Sequence, residues 1–151
     1  MKNKLLFIML TILGAPGIAI ATNYDLARSE YNFAVNELSK TSFNQAAIIG
    51  QVGADNSASV RQDGSKLLSV ISQEGRNNRA RVDQAGNDNF AYIERTGNAN
   101  DASISQSAYG YSAAIIQKGS GNKANITQHG TQKTAVVVQK QSHMAIRVTL
   151  R

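Results

Sequence analysis

The sequence predicts an all-β chain, a two-sheet parallel β-solenoid (β-helix) of five 22-residue strand-turn-strand coils stacked in amyloid-like register. Three observations predict it. Glutamines stand at Gln51, Gln62, Gln73, Gln84, Gln106, Gln117, Gln128 and Gln139, each a multiple of eleven residues from the next, with Arg95 filling the one gap. A fixed period of this kind announces a repeat architecture. Two residues before each anchor stands Ile49, Val60, Ile71, Val82, Ile93, Ile104, Ile115, Ile126 or Val137, and four before it stands Ala, except at Ser69. Positions two apart share one face of an extended chain and would scatter around a helix. Two residues after the anchor, Gly53, Gly64, Gly75, Gly86, Gly97, Gly119 and Gly130 supply the positive φ that a sharp corner needs. Strand, corner, strand, corner makes one coil. Coils stacked at ~4.8 Å place identical strands in parallel register and form two facing sheets.

Taken in order, residues 1–21 read as a secretory signal peptide. Lys2 and Lys4 precede an apolar run from Leu5 to Leu13, and Ala19-Ile20-Ala21 completes the pattern, so cleavage is expected after Ala21. The run falls short of the roughly 20 apolar residues of a membrane span, and Gly14, Pro16 and Gly17 interrupt it. Residues 22–44 lack the repeat. Tyr24, Leu26, Tyr31, Phe33, Val35 and Leu38 are mixed with acids there, and an unordered terminus and a docked recognition segment both remain open. The solenoid occupies residues 45–151, with coils at 45–62, 67–84, 89–106, 111–128 and 133–150. No capping element is evident before Gln45, so the first coil is expected to present an open edge of unpaired backbone groups.

Inside the coils the glutamines should form amide ladders. Gln51 lies over Gln73 and Gln117 over Gln139 on one sheet, and Gln62, Gln84, Gln106 and Gln128 line up on the other. Arg95 is expected to distort its rung or to send its guanidinium to solvent or to Glu94, because a buried charge is costly. The narrow Ile and Val core leaves an isolated molecule marginal and a stacked one stable, which is the chemistry of self-association.

Outward positions divide by sheet. Ile48, Leu68, Val70, Phe90, Tyr92, Ile116, Val136 and Val138 make one outer face apolar, whereas Arg61, Arg79, Arg81, Asp83, Asp101, Lys123 and Arg147 charge the other. Lateral association and coverage by the chain itself both suit the apolar face. Charge is uneven along the chain as well. The formal net charge is +6, and beyond Asp101 there is no acid at all. The fifth coil departs from the pattern, with Gln141, Met144, Ile146 and Leu150 in place of Gly, Asn, Ala and Gln. Its Lys133, Lys140, Arg147 and Arg151 suit an anionic cell surface.

Other function classes fit poorly. Cysteine is absent, and the two histidines, His129 and His143, fall at corners, so neither a nucleophile nor a metal set is suggested, and no cofactor is expected. The outward acids stand singly rather than as a catalytic pair. Aromatic and basic residues do not share a groove, which argues against a nucleic-acid partner. A soluble solenoid that binds ice would show a regular outward Thr array, and Arg61, Asp83, Ser105, Thr127 and Thr149 do not make one.

Phrases such as Ala124-Asn125-Ile126-Thr127-Gln128-His129-Gly130 resemble curlin repeats, and the likeness extends over the signal, the segment after it and all five coils. The resemblance implies export through the outer-membrane curli secretion pore with its accessory factors and retention at the cell surface. It further implies fibres (fimbriae, pili) of extracellular amyloid that serve adhesion and biofilm. Where the major curlin subunit has a stricter Gly-x-Gly-Asn pattern, this chain has it once, at Gly119 to Asn122. With the basic balance and the departing last coil, that points to a nucleator that templates the major curlin subunit. The alternatives are the major fibre-forming subunit itself and a soluble adhesin module.

Overall fold

The computed structural model describes residues 11–12, 17–22 and 44–151. Twelve strands run in chain order: β1 Thr11–Ile12, β2 Gly17–Thr22, β3 Gln45–Ala54, β4 Ser57–Ser65, β5 Leu67–Arg76 and β6 Arg79–Asn87, then β7 Phe90–Asn98, β8 Asp101–Tyr109, β9 Ser112–Lys118, β10 Lys123–Thr131, β11 Thr134–Gln139 and β12 Ala145–Leu150. They form two six-stranded sheets, β1-β3-β5-β7-β9-β11 and β12-β10-β8-β6-β4-β2. From β3 onward every pairing within a sheet is parallel and joins residues one coil apart, as Gln51 with Gln73 and Ile104 with Ile126. The chain is therefore a β-solenoid of about five turns.

The period of two decides what lies inside. Ala47, Ile49, Ala58, Val60, Ile71, Ala80, Val82, Ala91, Ile93, Ala102, Ile104, Ala113, Ile115, Ala124, Ile126, Ala135 and Val137 form one continuous buried cluster between the sheets, and Ile146, Val148 and Leu150 of the last strand pack half-buried against it. Full burial of a Val or Ile side chain contributes about 1.5 to 3 kcal/mol, so this stripe is the main apolar term of the fold.

Every corner from Gly53 to Gln132 uses two left-handed positions, and the last, between β11 and β12, uses one, His143. The glycine near the end of the strand has positive φ, as at Gly75 (φ 120°), and a second residue two positions later sits near φ 55°, as at Asp55, Asn77, Asp88 and Ala99. The glycine also answers a packing demand. A Cβ built on Gly75 would lie 1.9 Å from the carbonyl oxygen of Gly97, so the backbones of successive coils touch there.

The edge expected to be open carries two short strands. β1 pairs antiparallel with β3, Thr11 opposite Ala47, and β2 pairs antiparallel with β4 from Gly17 opposite Gln62 to Thr22 opposite Ser57. The run Gly17 to Thr22 is uncharged, proline-free and alternately β-branched, which suits it to a row of unpaired backbone donors and acceptors. Apart from Thr22, both strands lie in the stretch expected to be cleaved. Residues 23–43, the bulk of the non-repeat segment, lie outside the described residues.

The apolar outer face is also not uniform. Ala46, Ile48 and Val70 form a second buried cluster with Leu68 and Tyr92 packed against it, whereas Phe90, Val136 and Val138 stay exposed. The stripe is thus buried over the first two coils and opens to solvent at Phe90, Val136 and Val138, with Tyr92 and Ile116 half-buried between them.

Candidate functional site in the amide ladders

The side chains that distinguish these coils from a plain apolar solenoid are amides, and the register stacks them. In the second sheet Gln62 Nε2 donates to Gln84 Oε1, Gln84 to Gln106 and Gln106 to Gln128, each at 2.9 Å. All four are buried. The column therefore has a direction, with every amide nitrogen pointing toward the C-terminal coil. Spare hydrogens cross the interior to main-chain oxygens of the facing sheet, as from Gln106 Nε2 to Phe90 O at 3.0 Å. Ser69, the one break in the alanine series, joins this network, accepting from Gln62 Nε2 at 3.2 Å and donating to Gln84 Oε1 at 2.7 Å.

The first sheet holds Gln51, Gln73, Gln117 and Gln139 in one column with Arg95 between them. Gln117 Nε2 donates to Gln139 Oε1 at 2.8 Å. Arg95 neither reaches solvent nor meets Glu94, contrary to the expectation from sequence. It is only 1% exposed, and its Nη1 and Nη2 donate to the carbonyl oxygens of Asn100 at 3.1 Å and Ala102 at 3.2 Å on the opposite strand. Glu94 instead accepts from the Tyr92 hydroxyl. The cause is reach and donor number, since a guanidinium on three methylenes brings two nitrogens to facing main-chain oxygens where each glutamine brings one. Burial lowers the Arg95 pKa to about 9, and the nearby Asp101 charge opposes that shift.

Arg95 has only donors, and this reorients its neighbours. As placed, Gln51 Nε2 donates to Gln73 Oε1 at 2.6 Å, but turning the Gln73 amide sets its oxygen 3.2 Å from both Arg95 Nη1 and Ala80 N, and turning the Gln51 amide with it lets the otherwise unpartnered Gln51 oxygen accept from Gln73. On the other side Arg95 Nε and Gln117 Oε1 are both buried without partners, one donor and one acceptor on adjacent rungs. This column runs outward from Arg95 in both directions, unlike its counterpart.

Asparagine makes a second ladder, in which Asn56, Asn78, Asn100 and Asn122 succeed one another every 22 residues. The backbone N–H groups of Asn78, Asn100, Asn122 and Met144 donate to the side-chain oxygens of Asn56, Asn78, Asn100 and Asn122 at 3.0 to 3.1 Å. The amide nitrogens of Asn56, Asn78 and Asn100 reach the corner carbonyls of Gly75, Gly97 and Gly119 at 2.8 to 2.9 Å. Each Asn thus ties its corner to the one above it. The first sheet has Asn at this position only as Asn89, which holds Tyr111 N and Ala108 O, because Gln45, Leu67, Tyr111 and Lys133 occupy the other rungs. The inward placement of Asn every 22 residues was the available signal.

The glycines line the corners in two columns. Gly53, Gly64, Gly75, Gly86 and Gly97 each face a backbone oxygen within 2.0 Å of a would-be Cβ, whereas Gly119 meets Ser142 Oγ at 3.0 Å and Gly130 meets nothing closer than 3.5 Å. The basic residues of the last coil are spread rather than gathered. Lys140, Arg147 and Arg151 are exposed, and Lys133 is half-buried with its carbonyl accepting from Ser112 N and Gln128 Nε2. On the charged face Arg81 and Asp83 pair at 2.6 Å, which raises the Arg81 pKa through that hydrogen bond and then through charge.

The family model of the Curlin associated repeat matches residues 70–96 and 97–130. Over these residues the chain is similar to the curlin repeat. The chain is similar to the minor curlin subunit of Salmonella typhimurium (strain LT2), 91% identical over 69 residues that make up 46% of each chain. It is similar also to the minor curlin subunit of Escherichia coli (strain K12), 82% identical over 68 residues, 45% of each chain. The chain spans about half the length of the curated relatives it matches. No solved structure matches it. The matched residues hold the unbroken Gln column of the second sheet from Gln84 to Gln128 and also the Arg95 rung of the first.

Proposed function

We propose that this chain is a curli subunit of the minor kind, a surface-retained nucleator that templates the major curlin subunit into extracellular fibres for adhesion and biofilm. One observation carries the reading. In the second sheet regular Asn and Gln rungs run without insertion from the first coil to Gln128 and then stop at Met144 and Leu150, so that sheet has a part that can be copied and a part that cannot. In-register stacking extends a ladder of this kind at every added coil, and identical amides are the chemistry of cross-β growth. A bulk fibre subunit must propagate at both ends of its stack, and the last coil does not suit that. Residues 1–21 serve export and are cleaved after Ala21, the secretion pore carries the mature chain across the outer membrane, and the fifth coil keeps it at the surface. The names of the similar proteins support the family part of this reading.

The test is seeding in solution. Purified chain 22–151 should shorten the lag of major-subunit polymerisation, followed by an amyloid dye, at substoichiometric amounts. A lag unchanged by the added chain would overturn the nucleator reading while leaving the fold untouched.

A further inference from the structure

The ladders of the second sheet have a sense, and so the two ends of the stack are chemically different. Each coil addresses the coil after it through a Gln Nε2, an Asn Nδ2 and an Asn Oδ1. It is addressed by the coil before it through its Gln Oε1, its corner carbonyl and the backbone N–H at its Asn position. At the C-terminal end the outgoing set is missing. Met144 and Leu150 carry no amide, Gln128 Nε2 turns inward to Ser112 O and Lys133 O, and Gln139 Nε2 to Lys123 O and Met144 O. The corner between β11 and β12 contains no glycine.

At the N-terminal end the receiving residues Gln62 and Asn56 stand in the first coil, the Gly64 carbonyl already accepts from Gln45 Nε2 at 2.6 Å, and Gln45 Oε1 is buried there without a partner in a side chain only 2% exposed. The strands β1 and β2 occupy the backbone rim of this edge in antiparallel sense. Their residues, Thr11, Ile12 and Gly17 to Thr22, include no Asn or Gln and cannot serve the side-chain acceptors.

Resting on the nucleator reading, we propose that the free edge of β3 and β4 is the templating surface, and that its partner is the C-terminal edge of another curlin chain whose last coil keeps Asn and Gln. A second copy of this chain fits worse. Its own last coil would place Leu150 under Gln62 and Met144 under Asn56, leaving both rungs empty. This chain therefore begins a fibre without continuing it, with its fifth coil facing away from the growing subunits. Residues 17–22 cover the templating edge in the unprocessed chain, and removal of residues 1–21 exposes it.

The experiment transplants the terminating residues. In chain 22–151, N56M/Q62L copies the fifth coil's side chains onto the first, and M144N/L150Q restores the regular ones to the fifth. Loss of the Gln62 acceptor rung should slow seeding of the major subunit about tenfold or more in N56M/Q62L, the Asn56 backbone N–H being untouched. M144N/L150Q should seed at least as well as the unaltered chain, because it gains a second usable edge. A chain retaining residues 1–21 should seed more slowly than chain 22–151, and this comparison decides the matter if N56M/Q62L shows no β-sheet by circular dichroism. Seeding by the unaltered chain together with equal seeding by N56M/Q62L, or by the chain that retains residues 1–21, would overturn the assignment of the edge. Failure of the unaltered chain to seed at all would instead overturn the nucleator reading beneath it.

Discussion

The first four coils and the fifth share a backbone and differ in what their side chains do with it. β12 stacks on β10 over six residues in unbroken register, Ala145 opposite Lys123 through Leu150 opposite Gln128, although none of its residues is an amide. In the earlier coils the same register is overlaid by Gln and Asn ladders and by glycine corners in backbone contact. Register thus follows from the period and the apolar stripe, and the amides add a second set of bonds along the same stack.

The sharpest way to break this comparison is at the glycines. Gly75→Ala would drive a Cβ into Gly97 O at 1.9 Å and hold it at φ 120°, whereas at Gly130, φ 111°, the nearest atoms are 3.5 Å away. Overpacking and a disfavoured φ together should cost about 3 to 5 kcal/mol at Gly75, and the φ term alone about 1 kcal/mol at Gly130. Guanidinium midpoints read by circular dichroism on freshly diluted chain would show it. Equal shifts for the two variants would remove the distinction between regular and terminal corners.

Arg95 is the next largest lever, and its sign is opposite. Arg95→Gln would restore an amide rung between Gln73 and Gln117 and remove a buried charge whose Nε has no partner. Replacing a buried ion with a neutral group that fits is often stabilising by about 1 to 4 kcal/mol. The pH dependence follows from the lowered pKa of about 9. Below that pH the folded and unfolded chains both carry the proton, and the penalty is constant. Above it the folded chain releases the proton before the unfolded one does, so stability rises with pH and the advantage of Arg95→Gln shrinks. An advantage that stays constant from pH 8 to 11 would sink this account.

What could be read from the sequence was whatever the eleven-residue period carries. Parity places Gln84 and Val82 inside and Arg81 and Asp83 outside, because a strand alternates faces whatever its neighbours are. The reach of Arg95 across to Asn100 O and Ala102 O was not legible, since it depends on the distance between two sheets, which the pattern of a single strand does not encode. The second left-handed corner position was hidden because its occupants, Asp55, Lys66, Asn77, Ala99 and His143, share no side-chain chemistry. The pairing of Gly17 to Thr22 with β4 was masked by its reading as part of a targeting segment. Ser69 looked like an ordinary exception and is a bridge between two glutamines, a role that appears only once the sheets face each other.

The asparagine ladder offers a finer cut through the same comparison. Asn100→Ala removes the acceptor of Asn122 N and the donor to Gly119 O while leaving both partners in place. Buried groups left unpaired cost about 1 to 3 kcal/mol. Met144→Ala at the equivalent rung of the fifth coil deletes a half-buried side chain that no ladder uses, and its backbone bond to Asn122 Oδ1 survives. That variant should lose no more than about 1 kcal/mol. Urea midpoints of the two variants, ranked the other way, would place the asparagines outside the stabilising network.

The smallest effect on the fold is expected at the basic residues of the fifth coil. Lys140, Arg147 and Arg151 are exposed and join none of the ladders, so replacing all three with Gln should leave the folded chain and its seeding close to unaltered. Near an anionic surface each basic residue is worth about 1 kcal/mol, and the attraction falls off over roughly a Debye length, so binding through them weakens as salt is raised. Co-sedimentation of chain 22–151 with vesicles containing anionic lipid should drop on raising salt and drop further in K140Q/R147Q/R151Q, while the dye-monitored seeding of the major subunit stays level. Cells producing the triple variant should release it to the medium. If the variant is retained as firmly as the unaltered chain, the anchor is not electrostatic. If seeding falls in parallel with binding, the fifth coil belongs to the template, and the division between the two regions does not hold.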